Sequence, residues 1–279
     1  MNIAELLGKA SEQLTPISDS PRLDAEVLLC HVLQKNRSHL LAWPDKLLDN
    51  DQFDAFEKLL ARRIAGTPIA HLTGSREFWS LPLKVTADTL IPRPETELLV
   101  EQVLNDYPAD TAISLLDLGT GTGAIALAIA SERPNWRIIA TDISSAALDV
   151  AGENARQLGI NNVEFRQGNW LDCVTDEQFD IIVSNPPYIP RQDKHLQQGD
   201  VRFEPLSALA SGEDGLDDIR IIVRDSLDYL IPGGRLLIEH GYDQQQKIHE
   251  IFTFFGLQKI IQKQDMANNP RTTSGIKSK

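Results

Sequence analysis

The first 73 residues have the hydrophobic spacing of α-helices. Between Pro21 and Leu33 the apolar residues recur three and four positions apart, on one helix face: Ala25, Leu28, Leu29, Val32 and Leu33. The same spacing returns at Phe53, Phe56, Leu60 and Ile64. Prolines at positions 16, 44 and 68 interrupt the pattern. We therefore predict a small helical bundle over residues 1–73.

From residue 113 onward, short apolar runs alternate with amphipathic segments. The runs predict strands near Ser114–Leu118, Arg137–Asp142, Val163–Gln167, Phe179–Ser184, Gly234–His240 and Leu257–Gln262. The segments between them predict helices that include Ala124–Glu132, Ser145–Leu158, Asp217–Leu230 and Gln244–Phe255. This alternation is typical of the α/β class with a doubly wound, mostly parallel sheet. We assign it to residues 96–279 and expect ligands beyond the carboxyl ends of the strands.

Residues 74–95 fit neither pattern. They carry Pro82, Pro92 and Pro94, with a β-prone run from Phe78 to Leu83. We predict a β-hairpin connector between the helical and the α/β parts.

Charge and composition narrow the possible partners. The 279 residues include 27 Lys and Arg against 40 Asp and Glu, a formal net charge of −13. Such a field repels the phosphate backbone, so we expect no stable nucleic-acid binding. No apolar run approaches the ~18 residues that span a bilayer, and the first residues do not resemble a targeting segment. With only Cys30 and Cys173 and no disulfide framework, we predict a cytoplasmic protein that does not bind membranes.

A glycine-rich loop follows the first strand of the α/β part. Leu115 to Ala124 read LLDLGTGTGA, and Gly119–Gly123 is called the glycine loop here. Glycines let a ligand lie against bare backbone at a helix N-terminus, and Asp142 closes the next strand, where it can accept hydrogen bonds from ribose hydroxyls. A nucleoside cofactor is predicted. The loop also satisfies the dinucleotide pattern, so both NAD and S-adenosylmethionine remain open.

Asn169 and Trp170 follow the third strand, where the adenine of such a cofactor would lie. The Trp170 indole could form a wall for that ring. Packing against the sheet is the alternative explanation for this side chain.

The fourth strand ends in Asn185-Pro186-Pro187-Tyr188, called the NPPY turn here. Two prolines stiffen the turn and remove two N–H donors. The Asn185 side-chain oxygen and the Pro186 carbonyl can then accept both protons of a substrate –NH₂ group, while Tyr188 packs against its planar group. Acceptors that bind these protons out of plane favour a tetrahedral, more nucleophilic nitrogen and offset its developing positive charge. The turn therefore predicts methyl transfer to a planar nitrogen.

These motifs, in this order, resemble class I S-adenosylmethionine-dependent methyltransferases, which have a Rossmann-like fold. Further segments are similar to the glutamine methyltransferases of peptide chain release factors, the PrmC or HemK type: IAHLTG from Ile69, Phe78-Trp79, IPRPETE from Ile91 and DVRFEP from Asp200. The resemblance covers nearly the whole chain. It implies S-adenosylmethionine as cofactor and, as substrate, the glutamine of the release-factor Gly-Gly-Gln motif.

The resemblance also implies roles for single residues. It assigns the methionine part of the cofactor to Gly119, Thr120, Gly121, Thr122 and Gly123, the ribose to Asp142 and the adenine to Trp170. Asn185, Pro186, Pro187 and Tyr188 would hold the glutamine, with Asn185, Pro186 and Tyr188 catalytic and Asn185 also touching the cofactor. Leu90 and Ile91 would lie near the substrate, and the helical part would contact the release factor.

Two questions stay open at this level. The tail from Arg271 to Lys279 is more polar than the closing strand expected after Asp265, so the last hairpin of the sheet is uncertain. A DNA or RNA adenine methyltransferase shares the NPPY turn, although it would need a basic channel. A dehydrogenase or a non-catalytic nucleotide-binding module would leave the turn without a purpose. The scattered histidines show no metal-ligand spacing, and no metal is expected.

Overall fold

The structure is a computed structural model that describes residues 1–108 and 110–279. The chain divides into two compact units. The first comprises Met1–Ser75 and Gly199–Phe203, and the second Arg76–Gln198 and Glu204–Lys279. The predicted domain limits at 73 and 95 stay a prediction.

The first unit is helical, with α1 (Ile3–Leu14), α2 (Pro21–Leu33), α3 (Arg37–Ala42), α4 (Asn50–Ile64) and α5 (Ile69–Thr73). Its core is formed by the spaced apolar residues, among them Leu6, Leu7, Leu28, Leu29, Phe56 and Leu60. Capping boxes begin α1 and α4: the Asn2 side chain accepts the Glu5 N–H at 2.8 Å, and Asp49 accepts the Gln52 N–H at 2.8 Å. The spacing of the apolar residues and the capping boxes at the helix starts therefore indicate the same helices.

An ion network centred on buried Arg63 joins distant parts of this unit. The Arg63 guanidinium donates to Asp24 Oδ2 and to Asp200 Oδ1, each at 2.9 Å. Arg63 is 7% exposed, so it depends on these carboxylates to compensate its lost hydration. The contact explains why the short segment Gly199–Phe203 belongs to the helical unit.

The expected hairpin is present, with strands β1 (Ser75–Phe78) and β2 (Leu81–Lys84), and all of it except Ser75 belongs to the second unit. Trp79 and Ser80 connect its strands with φ angles of 51° and 61°, as a two-residue hairpin turn with positive φ at both positions requires. A single helical turn, Pro94–Thr96, then leads into α6 (Glu97–Asp106).

The sheet of this unit contains seven strands among the described residues, in the order β5-β4-β3-β6-β7-β9-β8. They are β3 (Ser114–Leu118), β4 (Arg137–Asp142), β5 (Val163–Gln167), β6 (Phe179–Ser184), β7 (Leu230–Glu239), β8 (Gln258–Gln264) and β9 (Pro270–Ile276). The helices are α7 (Ala124–Glu132), α8 (Ser145–Leu158), α9 (Asp217–Tyr229) and α10 (Gln245–Phe254). Strands β3 to β7 are mutually parallel where they pair, and β9 is antiparallel to β7 and β8. The α/β, doubly wound, mostly parallel fold is confirmed.

The polar tail completes the sheet, which answers the question that the sequence left open. Strand β9 pairs with β7 from Arg235↔Ile276 to Glu239↔Thr272. Its buried hydroxyls are satisfied: Thr272 Oγ1 accepts from the Gln102 side chain at 2.6 Å, and Thr273 Oγ1 lies 2.8 Å from His240 Nε2. Within the described residues, no helix is long and apolar enough to cross a membrane.

Candidate functional site

The carboxyl ends of neighbouring strands meet at one edge of the sheet. The register pairs Leu118 of β3 with Thr141 of β4 and with Ser184 of β6, and Ser184 with Ile238 of β7. The glycine loop and the NPPY turn begin immediately after two of these positions. The parallel pairing therefore brings together motifs that are far apart in sequence.

The glycine loop turns sharply between β3 and α7. The N–H groups of Gly119 and Thr120 both donate to the Thr141 carbonyl at 2.9 Å. Gly119 has a φ of 72°, and a Cβ there would lie 3.2 Å from Cζ3 of Trp170. Both the left-handed backbone conformation and the nearby indole therefore favour glycine at this position.

Asp142 lies beside the loop at the end of β4. Its Oδ2 accepts the Gly121 N–H and its Oδ1 the Ser144 N–H, both at 2.9 Å. These bonds fix the carboxylate while leaving lone pairs for another donor, since each oxygen can accept more than one hydrogen bond.

The loop and Asp142 line a cavity at this edge of the sheet, called the edge cavity here. It encloses about 970 Å³, part of which is open to solvent. All of its lining residues belong to the second unit. Those named by the sequence analysis include Gly119, Thr120, Gly121, Thr122, Asp142, Trp170, Asn185 and Pro187. Gly123 caps α7 behind the loop, where its Cβ would meet Leu127.

Asn185 lies on the wall of the edge cavity and is half-buried. Its Nδ2 donates to Thr96 Oγ1 at 3.1 Å. Its Oδ1 makes no hydrogen bond with any described residue. The side chain therefore has an available acceptor at the cavity and a donor already in use.

The other members of the NPPY turn lie differently. Pro187 lines the edge cavity, whereas Pro186 and Tyr188 are not among its lining residues. The Tyr188 hydroxyl donates to Glu239 Oε1 at 3.3 Å. The backbone carbonyl of Tyr188 accepts from the Gln244 side chain at 2.8 Å. Burial and the Glu239 carboxyl raise the pKa of Tyr188, so this phenol stays protonated and donates. The predicted substrate contacts of Pro186 and Tyr188 stay a prediction.

Thr96 and Glu239 are site residues that the sequence analysis missed. Glu239 ends β7 and is 1% exposed, and Thr96 is 4% exposed. Burial raises the pKa of Glu239 to about 7, against the lowering effect of polar contact with the Thr96 hydroxyl, the charge of Arg271 and the Tyr188 hydrogen bond. The sequence did hold a signal for Glu239: it is a carboxyl residue at the end of an apolar strand. That strand, β7, pairs with β6, which leads into the NPPY turn.

Asp117, within the LLDLGTGTG run, is a second buried carboxyl. Its Oδ2 accepts from Thr120 Oγ1 at 2.7 Å, while Oδ1 has no hydrogen-bond partner among the described residues. Burial raises its pKa to about 7. The side chain holds the glycine loop through Thr120.

The connector and a later loop form another wall of the edge cavity. Leu90, Pro92 and Arg93 line it from one side, and Pro205 from the other. Buried Glu204 joins them by accepting the Ile91 N–H at 2.9 Å and pairing with the Arg93 guanidinium. Of the two residues expected near the substrate, Leu90 is at the cavity and Ile91 is 5% exposed.

Within residues 1–108 and 110–279, no group of three or more His, Cys, Asp or Glu side chains could hold a metal ion.

Comparison with known proteins identifies the family. The sequence profile of the PrmC N-terminal domain matches residues 5–74, and that of a methyltransferase domain matches residues 109–274. The release factor glutamine methyltransferase of Vibrio cholerae serotype O1 is 53% identical over 99% of this chain and 96% of its own length. The chain belongs to the release factor glutamine methyltransferase family. The Escherichia coli K12 member of this family is 49% identical over 99% of both chains.

A solved structure supports the fold at lower similarity. A methyltransferase from Pyrococcus furiosus superposes with a TM-score of 0.54, covering 80% of this chain and all of its own. At a sequence identity of 18%, this similarity supports the fold and no conclusion about function.

Family membership decides between the functions that the sequence left open. The predicted family is confirmed, and so is the activity: a protein-glutamine N-methyltransferase whose methyl donor is S-adenosylmethionine. The release factor is its substrate, as predicted, and the adenine methyltransferase alternative is not favoured.

Proposed function

We propose that the edge cavity holds S-adenosylmethionine and that Asn185 receives the glutamine side chain of the release-factor Gly-Gly-Gln motif. One observation carries the assignment: Asn185 lies on the wall of the cavity that the glycine loop and Asp142 line, with its Nδ2 bound to Thr96 and its Oδ1 available. An available acceptor is what a substrate –NH₂ group needs.

The residues present fit the cofactor. The glycine loop offers bare backbone at the start of α7, and Asp142 has lone pairs to accept from ribose hydroxyls. Trp170 lies against Gly119, where its indole can flank an adenine ring. When bound, S-adenosylmethionine supplies a methyl group on a positively charged sulfur.

Asn185 would contribute to catalysis by accepting an N–H of the glutamine amide. Amide nitrogens are poor nucleophiles because their lone pair is delocalised into the carbonyl group. An acceptor held in place draws that N–H out of the amide plane and stabilises the positive charge that develops on nitrogen. The stiff NPPY turn gives Asn185 a defined position before the substrate arrives. The Pro186 carbonyl is proposed as the second acceptor, with Pro187 and Tyr188 supporting the turn.

The roles of the three segments of the chain and the location of the protein are proposals as well. The helical domain, residues 1–73, would recognise the release factor, the hairpin connector 74–95 would carry Leu90 to the substrate, and residues 96–279 would form the methyltransferase domain. We also propose a cytoplasmic location without stable nucleic-acid or membrane binding, in keeping with the net charge of −13.

The direct test is mass spectrometry of a release factor after incubation with the protein and isotopically labelled S-adenosylmethionine. We expect one methyl group on the side-chain nitrogen of the Gly-Gly-Gln glutamine. A release factor with glutamate at that position is the matched control and should stay unlabelled. Label on adenine in DNA or RNA, with none on the release factor, would contradict the proposal.

A second test concerns the cofactor. S-Adenosylhomocysteine at 100 times its Kd should raise the free energy of unfolding by about 2.7 kcal/mol, which a thermal-shift titration detects. NAD at the same concentration should leave the melting temperature unchanged. Stabilisation by NAD alone would reject the cofactor assignment.

A further inference from the structure

Trp170 occupies a tight turn in the chain that follows β5. The Asp172 N–H donates to the Asn169 carbonyl at 3.2 Å, which makes Trp170 the second of the four turn residues. Its φ angle is 55°. Turns with a positive φ at the second position favour glycine, asparagine or aspartate, and a bulky side chain there is an outlier. The Trp170 backbone is therefore strained and depends on contacts that hold it in place.

The position of the Trp170 indole depends on this backbone conformation. The ring lies against the glycine loop, since a Cβ on Gly119 would be 3.2 Å from Cζ3 of Trp170, and Trp170 lines the edge cavity. The side chain also packs against an apolar cluster that includes Leu118 and Leu171. Because side-chain direction follows backbone conformation, relaxation of the turn would move the ring away from the loop.

Thr141 is the residue whose side chain holds the Trp170 backbone. Its Oγ1 donates to the Trp170 carbonyl at 3.1 Å. Among residues 1–108 and 110–279, no other hydrogen bond reaches the backbone of Trp170. Thr141 lies in β4 and is 0% exposed, so water does not compete for this bond.

The backbone of Thr141 bonds to the opposite side of the cofactor site. Its carbonyl accepts the N–H groups of Gly119 and Thr120, each at 2.9 Å. Thr141 is itself not among the residues that line the edge cavity. It therefore contacts both the glycine loop and the Trp170 turn from behind the cavity wall.

We propose that Thr141 is a positioning residue for the cofactor: its hydroxyl holds the Trp170 turn in its strained conformation and keeps the indole where it contacts adenine. This inference rests on the proposed contact between Trp170 and the adenine of S-adenosylmethionine. The alternative is that packing on Leu118 and Leu171 holds the indole without help from the hydroxyl. The two explanations give different results when the hydroxyl is removed.

The first test compares Thr141→Val, which keeps the shape and removes the hydroxyl, with Thr141→Ser, the matched control that keeps it. Both leave the backbone carbonyl and its bonds to the glycine loop in place. We expect Thr141→Val to raise the Kd for S-adenosylhomocysteine, by calorimetry, about 3- to 10-fold, the effect of one lost hydrogen bond. Thr141→Ser should stay within about twofold of wild type. Wild-type affinity of Thr141→Val would overturn the proposal in favour of packing.

Urea denaturation shows whether the variants fold. If Thr141→Val does not, Thr141→Ala measured against Thr141→Ser repeats the comparison with a smaller side chain. The same outcomes then support or overturn the proposal.

A double-mutant cycle tests whether Thr141 acts through the indole. Trp170→Gly removes the ring and suits the positive φ of the turn, and it should raise the Kd for S-adenosylhomocysteine about 5- to 150-fold. In this background Thr141→Val should have no further effect, because the side chain through which it acts is absent. An equal loss in both backgrounds would overturn the positioning role while leaving the adenine contact of Trp170. Wild-type affinity of Trp170→Gly would instead reject that contact, so the two failures are distinguishable.

Steady-state kinetics with a release factor separates positioning of the cofactor from a general structural effect. Adenine is held equally before and during methyl transfer, so loss of its contact should raise KM and leave kcat unchanged. We expect Thr141→Val to raise the KM for S-adenosylmethionine about 3- to 10-fold with kcat within about twofold of wild type. A lower kcat with unchanged KM would overturn the proposal.

Discussion

At the scale of single residues, Asn185 and Asp142 are assigned to different steps, and the assignment can be measured. Asn185→Ala removes the acceptor for the glutamine N–H. By analogy with the loss of one preorganised polar contact, we expect kcat to fall about 10²- to 10³-fold. The affinity for S-adenosylhomocysteine, measured by calorimetry, should change less than about threefold. A comparable loss of cofactor affinity would contradict the division of roles.

Asp142→Ala should show the converse pattern. It removes the proposed charge-assisted bonds to the cofactor, about 1.5 to 3 kcal/mol, together with the anchors of the Gly121 and Ser144 N–H groups. We expect the Kd for S-adenosylhomocysteine to rise about 10- to 150-fold. The Kd of Asp142→Asn, which retains one acceptor oxygen, should lie between those of the wild type and Asp142→Ala. Unchanged affinity in Asp142→Ala would remove this residue from the cofactor site.

At the scale of secondary-structure elements, local signals account for the helix ends of the first unit. The Asp49 side chain accepts the Gln52 N–H at 2.8 Å, and Gln52 accepts from the Asp49 N–H at 3.3 Å. Asp49→Ala should reduce the free energy of unfolding by about 1 kcal/mol, whereas Asp49→Asn should change it by only a few tenths. Urea denaturation of both variants measures the difference. Equal losses would show that the cap does not stabilise α4.

Strand β9 shows where local signals are insufficient. Its polar run offers no alternation of apolar and polar residues, yet Thr272 and Thr273 are 1% and 0% exposed. Their hydroxyls are bonded to side chains of α6, β8 and the residue that follows β7. Buried polar groups are tolerated when their partners are supplied. Those partners are known only once the sheet is assembled.

At the scale of the whole molecule, stability should depend on pH through Glu239. Its pKa is raised from 4.5 to about 7 in the folded state, so folding favours the protonated form. Its contribution to stability is complete below pH 4.5 and is lost as the pH rises through 7, by up to about 3 kcal/mol. Between pH 5 and 8, Glu239→Gln should therefore gain stability relative to wild type.

Urea denaturation of both proteins at the two pH values measures this gain. The comparison cancels the parallel effect of buried Asp117, whose pKa is also raised to about 7. If the difference between the two proteins were the same at pH 5 and pH 8, Glu239 would not carry a raised pKa.

The sequence was sufficient for the α/β order of elements, the exact bounds of β3 to β6, the family and the motifs at the edge cavity. These depend on spacing within ten or so residues: hydrophobic period, caps, glycines and prolines act on their immediate neighbours. Chain folding was needed to bring Thr96 to Asn185, Glu239 to Tyr188 and Asp200 to Arg63. These hydrogen bonds join residues 89, 51 and 137 positions apart, and the sequence around one partner gives no sign of the other. Hydrogen bonding and burial act across space, so they become visible when strands are paired in register.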